Sequence, residues 1–412
     1  MKNIAILGYG VVGGGITEVI NRNSRSLEKF IGDKLNVKYI LDLRDFPDSP
    51  YADRVVHDIS AIIDDPEVSI VCETMGGVDP AFDFSMRLME KGKSVVTSNK
   101  ELVAKRGIQL MEQAQKFGVQ YMFEASVGGG IPEIRGMRTS LAGDTITAID
   151  GILNGTTNYI LTAMKKAGAD FEKVLSEAQR LGYAERNPSA DVDGFDAQRK
   201  IMILTAVATG YLVREEDVYC ETMRNITLAD IDAASRWGGS VKLLGSARIS
   251  EDGAGAGLFV CPFFVPDCCP LARIDDVYNG IRVVSPVTAD VMFYGRGAGR
   301  LPTAGAVVSD VASIAAGLAE REKKMLWSAA PDGFVKPFVD NSFSYYVRVE
   351  TASAPETLEK AALVLGDITA LEGSPEGCAE FITCSMRESD AAAAFAKGGF
   401  GKVVSTIRVM AQ

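Results

Sequence analysis

Apolar residues in this chain gather first in short unbroken runs. Residues 3–7 (NIAIL), 37–42 (VKYILD), 68–73 (VSIVCE), 94–97 (SVVT) and 119–123 (VQYMF) are too short for helices and rich in β-branched residues. That is the pattern of parallel strands covered on both faces. Helical spacing separates them, over residues 14–20, in a stretch running to Met89 and in another beginning at Glu101. Strand–helix alternation predicts an α/β fold with a doubly wound parallel sheet over residues 1–135. Residues 21–36 read as a polar insertion ahead of the second strand. A strand at 145–153 opens a second, α+β module over 136–299, with one helix over 171–181 ending at Gly182. Another helix begins near Asp196 and runs through Ile201, Leu204 and Ala208 to Gly210, and residues 261–270 read as sheet and loop. Residues from about 300 to 335 are expected to return to the first module. Beyond 340 the order strand, helix, strand, strand, helix, strand predicts a ferredoxin-like module over 340–412.

The first strand runs directly into Gly8, Gly10 and Gly13, and a helix follows. In that setting the three glycines are a Rossmann-type dinucleotide fingerprint: one for the turn, one for pyrophosphate approach, one for helix–strand packing. The helix N-terminus at Val11 and Val12 offers main-chain N–H groups and a positive dipole end to the phosphates. The second strand ends at Asp42, Arg44 and Asp45, where the adenosine ribose is read. A carboxylate there suits a free 2′-hydroxyl and an arginine suits a 2′-phosphate, so NAD and NADP both stay open. Ligands of such sheets bind beyond the carboxyl ends of the strands. That places Gly8, Gly76, Asn99, Lys100 and Glu124 around one crevice, with Thr74 and Ser98 as further cofactor contacts. A solvent-exposed turn lysine is the plain alternative for Lys100.

Composition narrows the chemistry. The 43 Lys and Arg against 54 Asp and Glu give a formal charge of -11, which argues against a nucleic-acid footprint. The only histidine is His57, read as a surface residue in a short strand-like run. Histidine-dependent triads would have to pass through that surface residue and His-rich metal sites are excluded, so proton transfer falls to Lys, Asp, Glu, Tyr or water. Seven scattered cysteines, without a C-x-x-C pair, predict neither zinc nor disulfides and fit a reducing cytoplasm. Neither a signal peptide nor a membrane span is expected.

Candidate chemistry in the second module lies in two places. Asn154, Gly155 and Thr156 stand at a strand-to-helix turn, which suits either a small polar ligand or an ordinary helix cap. Residues 182–200 form a loop carrying Glu185, Asp191, Asp193 and Asp196, then a helix on which Asp196 and Lys200 share a face. A surface ion pair is the plain reading of that pair. Four carboxylates and a lysine beside a proline-anchored loop favour a site that binds an ammonium group and moves protons, with Lys200 the leading acid–base candidate.

The run from Ala178 to Lys200 resembles the signature of homoserine dehydrogenases. So, in the same order, do the Gly8–Gly13 turn, residues 97–100 (TSNK), 124–132 (EASVGGGIP), 154–158 (NGTTN) and 295–303 (GRGAGRLPT). The resemblance covers about 1–335. It implies reversible NAD(P)H-dependent reduction of aspartate 4-semialdehyde to homoserine, with Lys100 and Lys200 flanking substrate and nicotinamide. By the same resemblance Lys200 exchanges the proton, Asp196 orients the reacting oxygen or a water, and Glu185 accepts the substrate ammonium. Asp191, Asn154, Gly155 and Thr156 complete the substrate site, and Gly299 belongs to the stretch that covers the nicotinamide. Glu124, with the carbonyls of Val127, Gly129 and Ile131, resembles the family's sodium site, or else forms only a structured loop. A homodimer or homotetramer is expected. With the first strand at residue 3, no fused kinase is expected ahead of it.

The third module resembles an ACT domain, whose effector in this family is typically threonine. It departs from the ACT pattern at Glu356, which stands where a turn glycine is usual, so weak or absent threonine inhibition is expected. Two rival functions fit the residues less well. A phosphorylating semialdehyde dehydrogenase needs a cysteine nucleophile with a histidine base, and His57 is badly placed for it. A ligand-binding sensor leaves Lys100, Glu185, Asp196 and Lys200 without a purpose.

Overall fold

A computed structural model describes residues 1–321 and 324–411. The chain divides into two compact units. The first comprises Met1–Thr145, Met202–Val213 and Phe293–Ala330, and the second Ile146–Ile201, Arg214–Met292 and Pro331–Gln412.

The first unit is built on strands β1 (Lys2–Leu7), β2 (Leu35–Leu41), β3 (Val55–Val56), β4 (Val68–Glu73), β5 (Ser94–Thr97) and β6 (Tyr121–Met122). They lie in the order β3-β2-β1-β4-β5-β6 and pair in parallel throughout. The order reverses between β1 and β4, and that switch point opens a crevice at the carboxyl ends of the strands. Helices α1 (Val11–Arg22), α2 (Ser24–Ile31), α3 (Ala81–Glu90) and α4 (Lys100–Lys116) alternate with the strands. The Arg300–Ala315 helix packs on α1 so closely that a Cβ at Gly15 would lie 2.7 Å from the Arg300 carbonyl. Two sequence expectations change here. Residues 21–36 contain the exposed helix α2, closed by Gly32 at φ 78°, because a single polar stretch also holds Leu27, Phe30 and Ile31 at helical spacing. The fifth strand shrinks to two residues, because the backbone at Phe123 turns into the short 3-10 helix Glu124–Ser126.

The second unit carries one continuous sheet. Its strands are β7 (Ala148–Ile152), β8 (Tyr219–Cys220), β9 (Gly239–Ile249), β10 (Ala256–Pro266), β11 (Tyr278–Ser285), β12 (Ser342–Glu350), β13 (Ile368–Ala370), β14 (Cys378–Thr383) and β15 (Lys402–Val409). They run β11-β7-β9-β10-β15-β12-β14-β13, with β8 paired to β10 off that path. Helices α5 (Gly155–Ala167), α6 (Phe171–Arg180) and α8 (Leu228–Trp237) belong to this unit, as does the start of α7 (Phe195–Thr209). Within it, β12, β13, β14 and β15 with helices α9 (Ala354–Leu365) and α10 (Glu388–Lys397) form a βαββαβ module. Its own strands lie β15-β12-β14-β13 and all pair antiparallel, the ferredoxin-like arrangement. The sequence treats this module as separate, yet β15 joins β10 in parallel, with Arg408 opposite Phe263 and Val409 opposite Phe264. Tyr346 stacks on Phe264 with ring centroids 4.5 Å apart, so the two modules share a core.

Candidate active site

In the first unit the Gly8–Gly13 turn has the geometry a dinucleotide needs. Gly8 sits at φ 87°, and a Cβ at Gly13 would lie 2.0 Å from the Gly8 carbonyl. A Cβ at Gly10, by contrast, would meet no protein atom within 4 Å. No side chain caps α1, which leaves the start of the helix to its main-chain N–H groups and positive dipole end. A cavity of about 510 Å³ lies here, lined among others by Gly8, Gly10, Asp42, Arg44, His57, Thr74 and Gly76. This shape and donor set fit NAD(P).

Asp42 accepts from the Tyr9 N–H at 2.8 Å and from Arg44 through its main-chain N–H and its Nε, both at 3.0 Å. The Arg44 guanidinium holds the Asp42 carboxyl at about 2, so the pair is ionised at neutral pH. Arg44 remains 65% exposed, with its guanidinium over the Phe46 ring. Asp45 lies further out and binds His57 Nε2 at 3.1 Å, while His57 Nδ1 contacts the Asp42 carbonyl at 2.7 Å. His57 is thus a surface residue, but one on the rim of the crevice. The sequence hides this, because the placement depends on β3 pairing with β2.

Glu73, missed by sequence reasoning, organises the crevice floor. Wholly buried, it accepts from Thr97 Oγ1 at 2.6 Å and from the Met75 N–H at 2.8 Å. Burial raises its pKa despite those donors. The Thr97 hydroxyl accepts from the Asn99 N–H, and Asn99 in turn donates to the Gly77 carbonyl at 2.6 Å and caps α4 through Leu102. Lys100 is the first residue of that helix, and Ser98 precedes the cap. Thr74 Oγ1 donates to the carbonyls of Leu7 and Gly8, locking the β4 turn onto the glycine turn. Gly299, at φ 122°, precedes the Arg300–Ala315 helix.

Glu124 does not line that crevice cavity. Its carboxylate accepts the N–H groups of Ile134 and Arg135 at 2.8 and 2.9 Å, and its own N–H donates to Asp310. Arg135 closes the cluster on Asp310 at 2.6 Å. Burial, with Asp310 close by, pushes Glu124 up to about 7, and burial pushes Asp310 up to about 6 against the pull of Arg135. Val127 and Ile131 are buried in the turn, which Gly128 and Gly129 bend at φ 56° and 54°. Among the described residues, no group of three His, Cys, Asp or Glu is arranged to hold a metal.

In the second unit Asn154 does both things the sequence allowed. Its Oδ1 accepts from Thr157 N and caps α5, while its Nδ2 donates to Asp191 at 2.7 Å and to Asp196 at 2.8 Å. The chemistry fixes the amide orientation, since carboxylates only accept and the helix N–H only donates. Lys200, 8% exposed, donates to Asp196 Oδ2 at 2.7 Å and to the Leu153 carbonyl at 2.6 Å. The expected i,i+4 ion pair is therefore buried, not a surface pair. Gly155 is required because a Cβ would lie 2.8 Å from the Val277 carbonyl. Thr156 Oγ1 donates to the Tyr183 carbonyl at 2.8 Å, tying α5 to the acidic loop. Glu185 lies exposed on that loop, its carbonyl accepting from Gln179.

Comparison with known proteins adds to this geometry. Residues 8–124 match the family model described as homoserine dehydrogenase, NAD binding domain, and residues 132–312 match the homoserine dehydrogenase model. A homoserine dehydrogenase of Synechocystis is 40% identical over 409 residues, covering 95% of this chain and 94% of that one. The crystal structure of a Thiobacillus denitrificans homoserine dehydrogenase superposes with a TM-score of 0.88 at 34% identity, covering 99% and 98% of the two chains. A hyperthermophilic archaeal homoserine dehydrogenase in complex with NADPH has a TM-score of 0.66 at 26% identity, covering 78% of this chain and 99% of the other.

Proposed function

Because this chain belongs to the homoserine dehydrogenase family, we propose that Lys200 is the group that exchanges the proton with its substrate. The enzyme interconverts L-aspartate 4-semialdehyde and L-homoserine with NAD(P). The glycine turn and the N-terminus of α1 would hold the cofactor's pyrophosphate, and the reduced cofactor, when bound, would supply the hydride. The chain must then protonate the oxygen and hold the amino-acid end.

The observation that carries the proposal is the Lys200 ammonium, buried and held from two sides by Asp196 and the Leu153 carbonyl. An ammonium has three N–H groups, so one remains for the substrate oxygen. Asp196 orients it and offsets its charge, Asn154 holds Asp196, and Asp191 shares the same amide. Protonating the alkoxide leaves a neutral amine, which solvent recharges. Glu185 is the proposed acceptor for the substrate ammonium, and Gly155 and Thr156 shape the binding turn. Lys100, directly after the Asn99 cap, is proposed as the second ammonium beside the nicotinamide. Positioned acid–base groups contribute roughly 10²–10⁴-fold. Lys200→Ala is expected to lose that much NADPH oxidation with the semialdehyde while NADPH affinity stays within about twofold by this account. If cofactor binding collapses while turnover survives, the role belongs elsewhere.

NADP is the preferred cofactor in this reading. Arg44 and His57 put two nitrogen-bearing side chains on the adenosine end, and Asp42 is already held by Arg44 and the Tyr9 N–H. A sodium ion is proposed for residues 124–131. Both Glu124 carboxylate oxygens already accept main-chain N–H groups, which favours main-chain carbonyls, those of Val127, Gly129 and Ile131 among them, as the donors. Replacing sodium by a large organic cation and following the melting temperature tests this. The βαββαβ module is proposed to be ACT-like with little response to threonine, and the enzyme to act as a cytoplasmic homodimer or homotetramer. Among the described residues, no helix is long and apolar enough to cross a membrane.

A further inference from the structure

One buried cation of the C-terminal module is not explained by the reaction. Arg408, on β15, is 6% exposed and grips two carboxylates. Its Nε donates to Glu388 at 2.9 Å, and its other guanidinium nitrogens reach Glu388 and Glu221. Its charge also lies 4.9 Å from the centre of the Phe338 ring, which stacks face to face on Tyr219 at 3.8 Å. Tyr345 adds a hydrogen bond to Glu388 at 2.6 Å. The guanidinium thus fastens residues 219–221 to the C-terminal module.

The same short segment continues into a clamp on the acidic loop. Glu221 N–H bonds the Val260 carbonyl, which fixes where the chain leaves β8. Next to it, Thr222 Oγ1 donates to Asp193 at 2.8 Å, Met223 N–H donates to the Val192 carbonyl at 3.0 Å, and Arg224 Nε donates to Asp193 at 2.9 Å. Val192 and Asp193 follow Asp191 directly, and Asp193 precedes Asp196 by three residues. Gly194 sits at φ 87°, a backbone conformation that favours glycine, and a Cβ there would press on Val260 at 3.1 Å. The loop is therefore pinned between the two carboxylates that Asn154 joins.

We propose that Arg408 is a positioning residue for the reaction, acting through residues 219–224 and Asp193 to set where Asp191 and Asp196 stand. The C-terminal module is then part of the substrate site's support, whether or not it binds an effector. The proposal rests on the assignment of Asp196 and Lys200 above. Its physical content is coupling, which contiguity alone does not establish and a double-mutant cycle measures.

The test uses the full-length enzyme and steady-state kinetics of Arg408→Met, Asp193→Asn and the double variant, with Arg408→Lys as the conservative control. Each single change is expected to raise the KM for the semialdehyde about tenfold, with the KM for NADPH unchanged. The double variant should be no worse than about tenfold, because both changes release the same clamp, and Arg408→Lys should recover part of the loss. Multiplying losses, a parallel rise in the KM for NADPH, or wild-type kinetics in Arg408→Met each overturn it. Should Arg408→Met fail to fold, Glu221→Gln with Asp193→Asn gives the same cycle. If Lys200→Ala stays active, the site assignment fails first; if Lys200→Ala is dead and the cycle is additive, the coupling alone fails.

Discussion

Asn154 offers a clean separation of architecture from chemistry. Its side-chain oxygen caps α5, and its amide nitrogen holds Asp191 and Asp196. Asn154→Ser keeps a capping oxygen and removes the amide donors, whereas Asn154→Ala removes both. Losing a cap costs about 1 kcal/mol, and serine caps nearly as well as asparagine. In a chain of 412 residues that is roughly 1 °C in Tm between alanine and serine. A hydrogen bond to a charged partner is worth about 1.5–3 kcal/mol. If the bond to Asp196 orients the group that steadies Lys200, its loss lowers kcat/KM for the semialdehyde by roughly 10–150-fold, at a factor of ten per ~1.4 kcal/mol. Both variants should show that loss, and alanine should melt below serine by the worth of the cap. The assay is NADPH oxidation at 340 nm (the usual absorbance) beside a thermal melt. Wild-type kcat/KM in Asn154→Ser, or a rise in the KM for NADPH of the same size, refutes the reasoning.

Other outcomes follow from the crevice and the C-terminal module. Arg44→Ala should weaken NADPH by roughly 10–100-fold, the worth of a charge-assisted bond to phosphate, and leave NADH nearly untouched; equal losses with both would remove Arg44 from the 2′-phosphate. The His57 pKa is raised, chiefly by its contact with the Asp42 carbonyl. The ring is cationic below that pKa and neutral above it, so the KM for NADPH should rise as pH climbs through it. NADH and His57→Ala should show no such step, and a step that persists in His57→Ala assigns it to another group. Glu356 is well exposed and faces Lys360 at 3.8 Å. Threonine at millimolar concentration should therefore leave the rate within about twofold, on the argument that the effector needs close approach to a glycine backbone; strong inhibition would show that another part of the module receives it.

What the sequence reveals is what depends on neighbours in the chain. The glycine turn after β1, the Asn154 cap and the Asp196–Lys200 spacing are each set by a few consecutive residues, and each can be read from the residue types alone. The hidden parts depend on distant pairings. His57 reaches the crevice only because β3 lies beside β2, and Glu73 looks like the last residue of an apolar strand until Thr97 is placed against it. Glu124 is legible as a residue beside a glycine-rich turn, but not the direction of its carboxylate, which depends on Ile134 and Arg135. Thr222 meets Asp193 across 29 residues, and no local pattern announces that contact. Helix α2 was obscured for another reason: it buries no residue, so its apolar positions carry no core signal.

Strand β10 is buried along all eleven of its residues, and at its far end β15 supplies the neighbour on one side. A chain cut before β12 would uncover the β10 edge at Phe263 and Phe264, an apolar stretch with unpaired main-chain groups and so a template for self-association. Trimming this enzyme ahead of β12 should thus lower its solubility.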